Sequence, residues 1–193
     1  MDKEALFQAR TNPDFLKYLE EARVNSMNDM AKILDAVEAA DMLVLDLDEE
    51  NVNKLYEQIL KTSFSNVEKI LENHGKLNLE GDNLLYVRAL YEHAIEKWSY
   101  DNFDGAKELI FVIANIINDE TLEKALNILI IFLVSKIQLD DFYDTRVDLE
   151  ADVDDEKYGY FIINFSFDNQ TFLEENKSIL EKEYKNLKHL LGN

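Results

Sequence analysis

The chain has 193 residues, with 40 acidic and 20 basic side chains, a formal net charge of −20, no cysteine, 5 glycines and 1 proline. The lack of cysteine excludes disulfides, thiolate metal sites and cysteine nucleophiles. The negative charge disfavours nucleic acid and anionic membranes as partners, because both would repel the chain, whereas a basic protein or a cation would be attracted.

Two features of the sequence bear on location. The N-terminus, Met1-Asp2-Lys3-Glu4, lacks the basic region and the apolar stretch of a signal peptide. The longest apolar run, Ile128 to Val134, is far shorter than the roughly 20 residues that cross a bilayer. We therefore expect a soluble, cytoplasmic protein with no membrane partner.

The first third of the chain is predicted to be helical, with one ambiguous segment. Asn12-Pro13-Asp14 is typical of a helix start, since Asn caps free amides and Pro suits the first helical position. A second helix is predicted over residues 27–40. Met42 to Leu47 is short and apolar, so it could be a strand or the continuation of that helix, with a slight preference for the strand.

Two more helices are predicted before the centre of the chain. Apolar residues recur at helical spacing between Val52 and Leu60. Ser65 to Glu68 has the spacing of a capping box, which predicts a separate short helix ending near Gly75.

The centre of the chain, residues 84–137, is predicted to supply most of the core. Apolar residues repeat at three- and four-residue steps in three successive segments, with polar breaks at Asn102 to Gly105 and at Asn118 to Glu120. Five apolar residues of the second and third helices are expected to be buried together: Ile110, Ile113, Leu126, Leu129 and Leu133.

After Ile137 the apolar period changes from helical to two. Val147 to Val153 alternates with carboxylates, and Phe161 to Phe167 alternates with smaller residues, so the two stretches predict one antiparallel β-hairpin over residues 145–167. Thr171 to Glu174 reads as a capping box that opens a C-terminal helix over 171–191. The predicted fold is mainly α with an α+β character: a single domain over 1–193, helical over 12–137, with a small hairpin and a C-terminal helix.

The helix pair at residues 84–117 resembles one tetratricopeptide unit. Ala94 matches the small residue that lets the second helix pack closely, and Phe103 and Ala106 match the aromatic and the small residue after the turn. The chain departs from the family at Asp101, where a turn glycine is usual, and no second copy appears at the expected period. The resemblance implies a peptide-binding helical module, as in some secretion chaperones.

The aromatic residues around this turn have two interpretations. Buried, Trp98, Tyr100 and Phe103 would close the helical hairpin; partly exposed, they would form an aromatic anchor for a partner. Burial is the interpretation that aromatic residues at helical spacing favour.

A calcium-loop pattern is partly present in the first half of the chain. Asp46, Asp48, Glu50 and Glu57 fall at positions 1, 3, 5 and 12, but Asn51 replaces the glycine at position 6. The alternative is that these acids suit the N-terminus of the following helix.

Residues 138–157 carry nine acids and only two bases, Arg146 and Lys157. Carboxylates on one face of a strand repel each other, so they either protect a solvated sheet edge or form a docking face for a basic partner. The partner-binding residues predicted on this basis are Asp148, Glu150, Asp152, Asp154, Asp155 and Glu156.

No catalytic motif is present. His74, His93 and His189 are scattered, and there is neither an H-E-x-x-H sequence nor a glycine-rich phosphate loop. We therefore predict a non-enzymatic, acidic protein-interaction domain, inhibitor- or chaperone-like, with a basic protein or peptide as partner and no cofactor, metal or catalytic residue. The alternative is a carboxylate-based cation-binding or metal-dependent protein. The sequence carries no signal for the oligomeric state.

Overall fold

The structure is a computed structural model that describes residues 49–72, 75–151 and 155–191, together with Pro13 and Lys17. The chain divides into two compact units, Met1–Val67 and Glu68–Asn193. The single domain over 1–193 stays a prediction. The predicted helix at 27–40 and the segment at 42–47 lie outside the described residues, as does the helix from residue 12, except that Pro13 and Lys17 are helical.

Helix α1 (Glu49–Glu72) is continuous, so the prediction of a second helix starting at Ser65 is wrong. Four residues of α1 are buried at four-residue steps: Leu55, Ile59, Ser63 and Val67. They therefore lie on one continuous face of the helix, which extends past the break expected at Ser65. The Ser63 hydroxyl donates to the Ile59 carbonyl, 2.8 Å away within the helix. No glycine or proline interrupts α1, so nothing in the sequence forces it to stop there.

The core of the second unit consists of α2 (Gly81–Ser99), α3 (Phe103–Ile116) and α4 (Glu120–Val134). Asn102 caps α3 by accepting a hydrogen bond from the Gly105 amide, and Asp119 caps α4 by accepting one from the Leu122 amide. The polar breaks predicted from the sequence are thus helix starts. The core prediction is confirmed, because each of its five residues is at most 1% exposed: Ile110, Ile113, Leu126, Leu129 and Leu133.

Helices α2 and α4 end in the same hydrogen-bonded motif. After α2, the amides of Asp101 and Asn102 donate to the carbonyls of Trp98 and Lys97. After α4, the amide of Lys136 donates to the Leu133 carbonyl, and the next amide donates to the Phe132 carbonyl. This is the Schellman arrangement, which needs a left-handed residue after the cap. Asp101 and Lys136 take that position at φ 57° and φ 53°.

The aromatic residues at the α2–α3 turn divide between core and surface. Trp98 is 1% exposed and its indole N–H donates to the Ile137 carbonyl, so the prediction of burial is confirmed for this residue. Tyr100 is 79% exposed, so the same prediction is wrong there. Two residues along a helix correspond to about 200° of rotation, which directs Tyr100 away from the buried stripe. Ala94 and Ala106 are fully buried in the α2–α3 pair, and the tetratricopeptide resemblance stays a prediction.

The predicted β-hairpin is wrong, because the described residues contain no strand in this region. Its first residues end helix α5 (Leu139–Arg146) instead. The two stretches meet at a single antiparallel bridge between Val147 and Phe165. Beyond this bridge the Asp148 carboxylate accepts from the Glu150 amide, which bends the chain away from an extended path.

The alternating phenylalanines of the predicted second strand pack into an aromatic cluster rather than a sheet. Phe165 contacts Phe142 of α5, and Phe167 stacks on Phe172 with ring centroids 4.5 Å apart. Phe132 of α4 stacks on Phe172 as well. The alternation of apolar and polar residues in this stretch therefore reflects the packing of these rings in a cluster and not their pairing in a β-sheet.

The C-terminal helix begins earlier than predicted and is interrupted. Its first part, α6 (Asn169–Glu175), is capped by Asp168, which accepts from the amide and the hydroxyl of Thr171. A turn at Asn176, whose side chain donates to the Phe172 carbonyl, separates it from α7 (Lys177–Leu187) and a final 3₁₀ turn, Lys188–Leu191. The predicted capping box at Thr171 is wrong by one turn, because the aspartate three residues earlier is the acceptor.

Candidate functional site

The predicted partner-binding residues that the structure describes lie in a bend and in a 3₁₀ turn and not on a strand. Asp148 and Glu150 are exposed in the bend that follows the bridge, and the 148–150 contact orients the Asp148 carboxylate towards the backbone. Asp155 caps a 3₁₀ turn, Glu156–Tyr158, by accepting from the Lys157 amide, and Glu156 is exposed at the start of that turn. Asp152 and Asp154 lie outside the described residues. The strand face expected for Asp148, Glu150 and Asp152 is therefore wrong, because the described residues of this stretch contain no strand.

Asp119 fixes the 3₁₀ turn to the helical core. Its carboxylate accepts from the Tyr158 hydroxyl, 3.0 Å from each oxygen, and pairs with the Lys157 ammonium at 3.2 Å. The same carboxylate caps α4. The hydrogen bond from Tyr158 joins residues 39 positions apart, and together with the Lys157 pair it holds the turn against the N-terminus of α4.

A wider set of carboxylates is exposed along α5 and the segment after it. In the part of the chain that the structure describes, six of them form no ion pair; we call these six the acidic surface: Asp140, Asp141, Asp144, Asp148, Glu150 and Glu156. The first five lie on α5 and the bend after it, whereas Glu156 lies in the 3₁₀ turn that Asp119 holds at the N-terminus of α4. The two bases of the same segment are engaged elsewhere. Lys157 pairs with Asp119, and the Arg146 guanidinium lies 5.9 Å from the centre of the Phe132 ring. The six carboxylates therefore outnumber the one base of the segment that is not paired with Asp119, Arg146, and the surface keeps a net negative charge.

A pocket of about 270 Å³ opens between α2, α5 and residues 159–162. We call it the tyrosine pocket. It is lined by aromatic rings, one carboxylate and aliphatic side chains: Tyr91, Glu92, Ile95, Tyr143, Gly159, Tyr160, Phe161 and Ile162. Tyr143 and Tyr160 are 38% and 44% exposed at its mouth, and Phe161 is buried against Tyr91. Asp140 lies one helical turn before Tyr143, so the pocket adjoins the acidic surface.

Tyr91 is the most deeply buried polar side chain in the tyrosine pocket, at 3% exposure. Its hydroxyl oxygen accepts a hydrogen bond from the Ile162 amide at 3.1 Å. Burial raises the pKa of the Tyr91 phenol well above its ordinary value of 10.0, which keeps the proton on the oxygen as a donor.

Arg88 and Glu92 form an ion pair at the edge of the tyrosine pocket. The Arg88 Nε donates to a Glu92 carboxylate oxygen at 2.7 Å, and the Arg88 guanidinium lies 4.4 Å from the centre of the Tyr160 ring. Glu92 is 39% exposed, whereas Arg88 is 11% exposed. A ring of the pocket thus already accepts a cation on one face.

Sequence reasoning missed the tyrosine pocket altogether. Helical periodicity predicts burial for the apolar stripe of residues 84–98, but it does not indicate that Tyr91, Tyr143 and Tyr160 meet in one pocket. The sequence does contain a signal for this pocket. Tyr143 lies between Phe142 and Asp144, and Tyr160 follows Tyr158-Gly159. Exposed aromatics among acids are typical of binding surfaces for cationic groups.

The cation-binding alternative gains no support in the described residues. No group of three or more His, Asp or Glu there could hold a metal ion. Glu50 and Glu57 of the calcium-loop pattern lie within helix α1, which a calcium loop could not adopt, and Asp46 and Asp48 lie outside the described residues. His93 lies 2.8 Å from a Glu96 carboxylate oxygen, an ordinary contact on the surface of one helix.

Comparisons with protein-family models, with curated proteins and with solved structures found no match. Within the described part of the chain, no helix combines the length and apolarity needed to cross a membrane.

Proposed function

We propose that this chain is a non-enzymatic, acidic protein-interaction domain that binds a basic protein or peptide. The observation that carries the proposal is the acidic surface, whose six exposed carboxylates form no ion pair in the described residues. Of the two bases in the same segment, Lys157 pairs with Asp119, and Arg146 forms no ion pair with these carboxylates. The surface differs from the one expected from the sequence, since it begins on α5 and follows a bend.

The physical basis is electrostatic. Like charges that lie close together destabilise the folded state, and only cations or a cationic surface relieve that repulsion. An acidic surface also attracts a basic partner over roughly a Debye length, which accelerates association at low salt. Because such attraction is screened, binding should weaken as the salt concentration rises.

The experiment uses deca-lysine as the basic probe and compares two variants with equal net charge. The first, Asp144→Asn/Asp148→Asn/Glu150→Gln, removes three charges from the acidic surface; the Asn at 148 can still accept from the Glu150 amide. The second, Glu72→Gln/Glu108→Gln/Glu175→Gln, removes three exposed charges from other helices. We expect the first variant to bind deca-lysine about tenfold more weakly at low salt, with a shallower salt dependence.

The control variant should retain the affinity of the wild-type protein within about twofold, because its lost charges lie away from the probe. Equal losses in the two variants would mean that deca-lysine responds to net charge alone, and this would refute the proposal. A thermal melt of both variants checks folding; the first should be at least as stable as wild type, because it relieves repulsion.

A further inference from the structure

The C-terminal segment, residues 177–191, is positively charged, although the chain as a whole has a net charge of −20. It contains four lysines and two glutamates. One of these, Glu183, is buried and pairs with the Lys107 ammonium of α3 at 3.1 Å, so its charge is compensated inside the protein. The other, Glu181, lies 3.9 Å from the Lys177 ammonium. The remaining lysines of the segment therefore have no carboxylate of their own helix as a partner.

These remaining lysines are exposed, and no ion pair engages them in the described residues; we call them the lysine face: Lys182, Lys185 and Lys188. The first two lie on α7, and the third begins the 3₁₀ turn that follows it. Residues at three-residue steps are neighbours on a helix surface, where like charges repel each other. An anionic surface would relieve that repulsion, so the lysine face is the electrostatic counterpart of the acidic surface.

Apolar side chains lie next to the lysine face. Leu191, three residues after Lys188, is 41% exposed, and Leu180 and Tyr184 are half-buried on the same helix. The Tyr184 hydroxyl donates to the Asn127 Oδ1 of α4 at 2.8 Å, which holds this ring in place. A partner that meets the lysine face can therefore bury apolar surface in addition to forming ion pairs.

The acidic surface and the lysine face lie on helices that pack against different parts of the core. Helix α5 packs on the end of α2, where the Phe142 and Trp98 ring centroids are 4.9 Å apart. Helix α7 packs on α3, where the Tyr184 ring lies 5.0 Å from the Phe111 ring. Across the described part of the chain, no ion pair joins one surface to the other. Both surfaces are therefore available to a second copy of the chain.

We propose that the lysine face of one copy binds the acidic surface of a second copy. The inference rests on the proposed function, because it names the basic partner of the acidic surface. Two copies that each carry a net charge of −20 repel each other at long range, but the Debye length of about 8 Å at physiological ionic strength screens this repulsion. Charges in direct contact across an interface are screened much less, so the local complementarity decides the orientation of the two copies.

The test is sedimentation equilibrium of the full chain at about 0.2 mM, a concentration that populates weak complexes. We expect an average mass that rises with concentration and reaches at least about 1.3-fold the 22.5 kDa of one chain. Two reciprocal contacts would close a dimer, whereas one contact per pair would give a series of longer oligomers, and the mass distribution distinguishes them.

Two charge-reversed variants locate the contact. Lys182→Glu/Lys185→Glu/Lys188→Glu makes both surfaces negative, and Asp141→Lys/Asp144→Lys/Glu150→Lys makes both positive. Each variant alone should have the mass of a single chain, because its two surfaces repel each other. An equimolar mixture of the two should associate again, since their surfaces are then of opposite sign.

The matched control is Lys61→Glu/Lys76→Glu/Lys136→Glu, which reverses three lysines that are exposed elsewhere. It has the same net charge as the variant of the lysine face, and it should associate as the wild-type chain does. The milder variant Lys182→Gln/Lys185→Gln/Lys188→Gln repeats the test with little effect on folding, and thermal melts check every variant.

A wild-type chain that keeps the mass of one copy, a mixture that does not associate, or an equal loss in the control would each overturn the inference. A positive deca-lysine result alongside any of these would retain the proposed function with a different basic partner. Association that depends on the lysine face, together with a failed deca-lysine experiment, would refute the general binding of basic peptides and retain the contact between copies.

Discussion

Replacing Asp119 by alanine removes three interactions at one carboxylate. The side chain caps α4 through the Leu122 amide at 2.9 Å, accepts from the Tyr158 hydroxyl, and pairs with the Lys157 ammonium. It is only 11% exposed, so water replaces these partners poorly after truncation. Asp119→Ala should therefore both fray the start of α4 and release the 3₁₀ turn.

The magnitude follows from the two hydrogen bonds. Loss of an N-terminal cap costs about 1 kcal/mol, and loss of a hydrogen bond to a charged acceptor costs about 1.5 kcal/mol or slightly more. The pair with Lys157 adds little, because that ammonium is one-third exposed and solvent screens it. We expect Asp119→Ala to lower the free energy of unfolding by about 2–3 kcal/mol.

The assay is urea unfolding at neutral pH, with Asp119→Asn and Tyr158→Phe as matched controls. Asp119→Asn retains an acceptor for the Leu122 amide, so it should cost less than the alanine variant. A double-mutant cycle between Asp119→Ala and Tyr158→Phe should give a coupling energy of about 1 kcal/mol. A loss below about 0.5 kcal/mol for Asp119→Ala would refute the reasoning, because it would mean that the carboxylate is not engaged in solution.

Acidification should weaken the interactions of the Asp119 carboxylate. Burial by itself would raise the pKa of the Asp119 carboxyl, but the Leu122 amide, Lys157 and Tyr158 together hold it below its ordinary value of 3.8. A lowered pKa in the folded state means that the stabilisation is complete above the unfolded value and is lost as the pH falls through the folded value. Wild-type protein should therefore lose more stability than Asp119→Asn on acidification below about pH 4; equal acid profiles would contradict this assignment.

Two further predictions concern the helical core and its ends. Ile113→Ala or Leu129→Ala should each lower the free energy of unfolding by about 2–5 kcal/mol, since both residues are fully buried; a change below about 0.5 kcal/mol in urea unfolding would contradict that burial. Lys136→Gly should raise the free energy of unfolding by about 0.5–1 kcal/mol, because glycine adopts the left-handed conformation at φ 53° without the strain of a side chain. Asp101→Gly should gain less, since aspartate tolerates that conformation better than lysine, and a larger gain at Asp101 would argue against this explanation.

The local pattern of the sequence determined the helical core of this protein. Apolar residues at three- and four-residue steps predicted α2, α3 and α4, and the five core residues predicted from them are buried. The polar breaks at Asn102 and Asp119 became helix caps, because the interactions that make a cap join residues only three positions apart. The acid surplus of residues 138–157 also followed directly from composition.

The tertiary structure decided what the local pattern left ambiguous. Alternating residues between 145 and 167 predicted a hairpin, yet Phe165 and Phe167 pack among rings from α4, α5 and α6, and burial in such a cluster needs no strand. An alternation of apolar and polar residues indicates which side chains become buried. It does not specify whether they are buried in a β-sheet or in a cluster of aromatic rings.

The tyrosine pocket depended still more on distant contacts. The Tyr91 hydroxyl meets the Ile162 amide 71 residues away, and the Tyr158 hydroxyl meets Asp119 39 residues away. Periodicity and capping describe neighbours along the chain, so they carry no information about which distant segments meet. Only the packing of the helices brings Tyr91, Tyr143 and Tyr160 to one pocket beside the acidic surface.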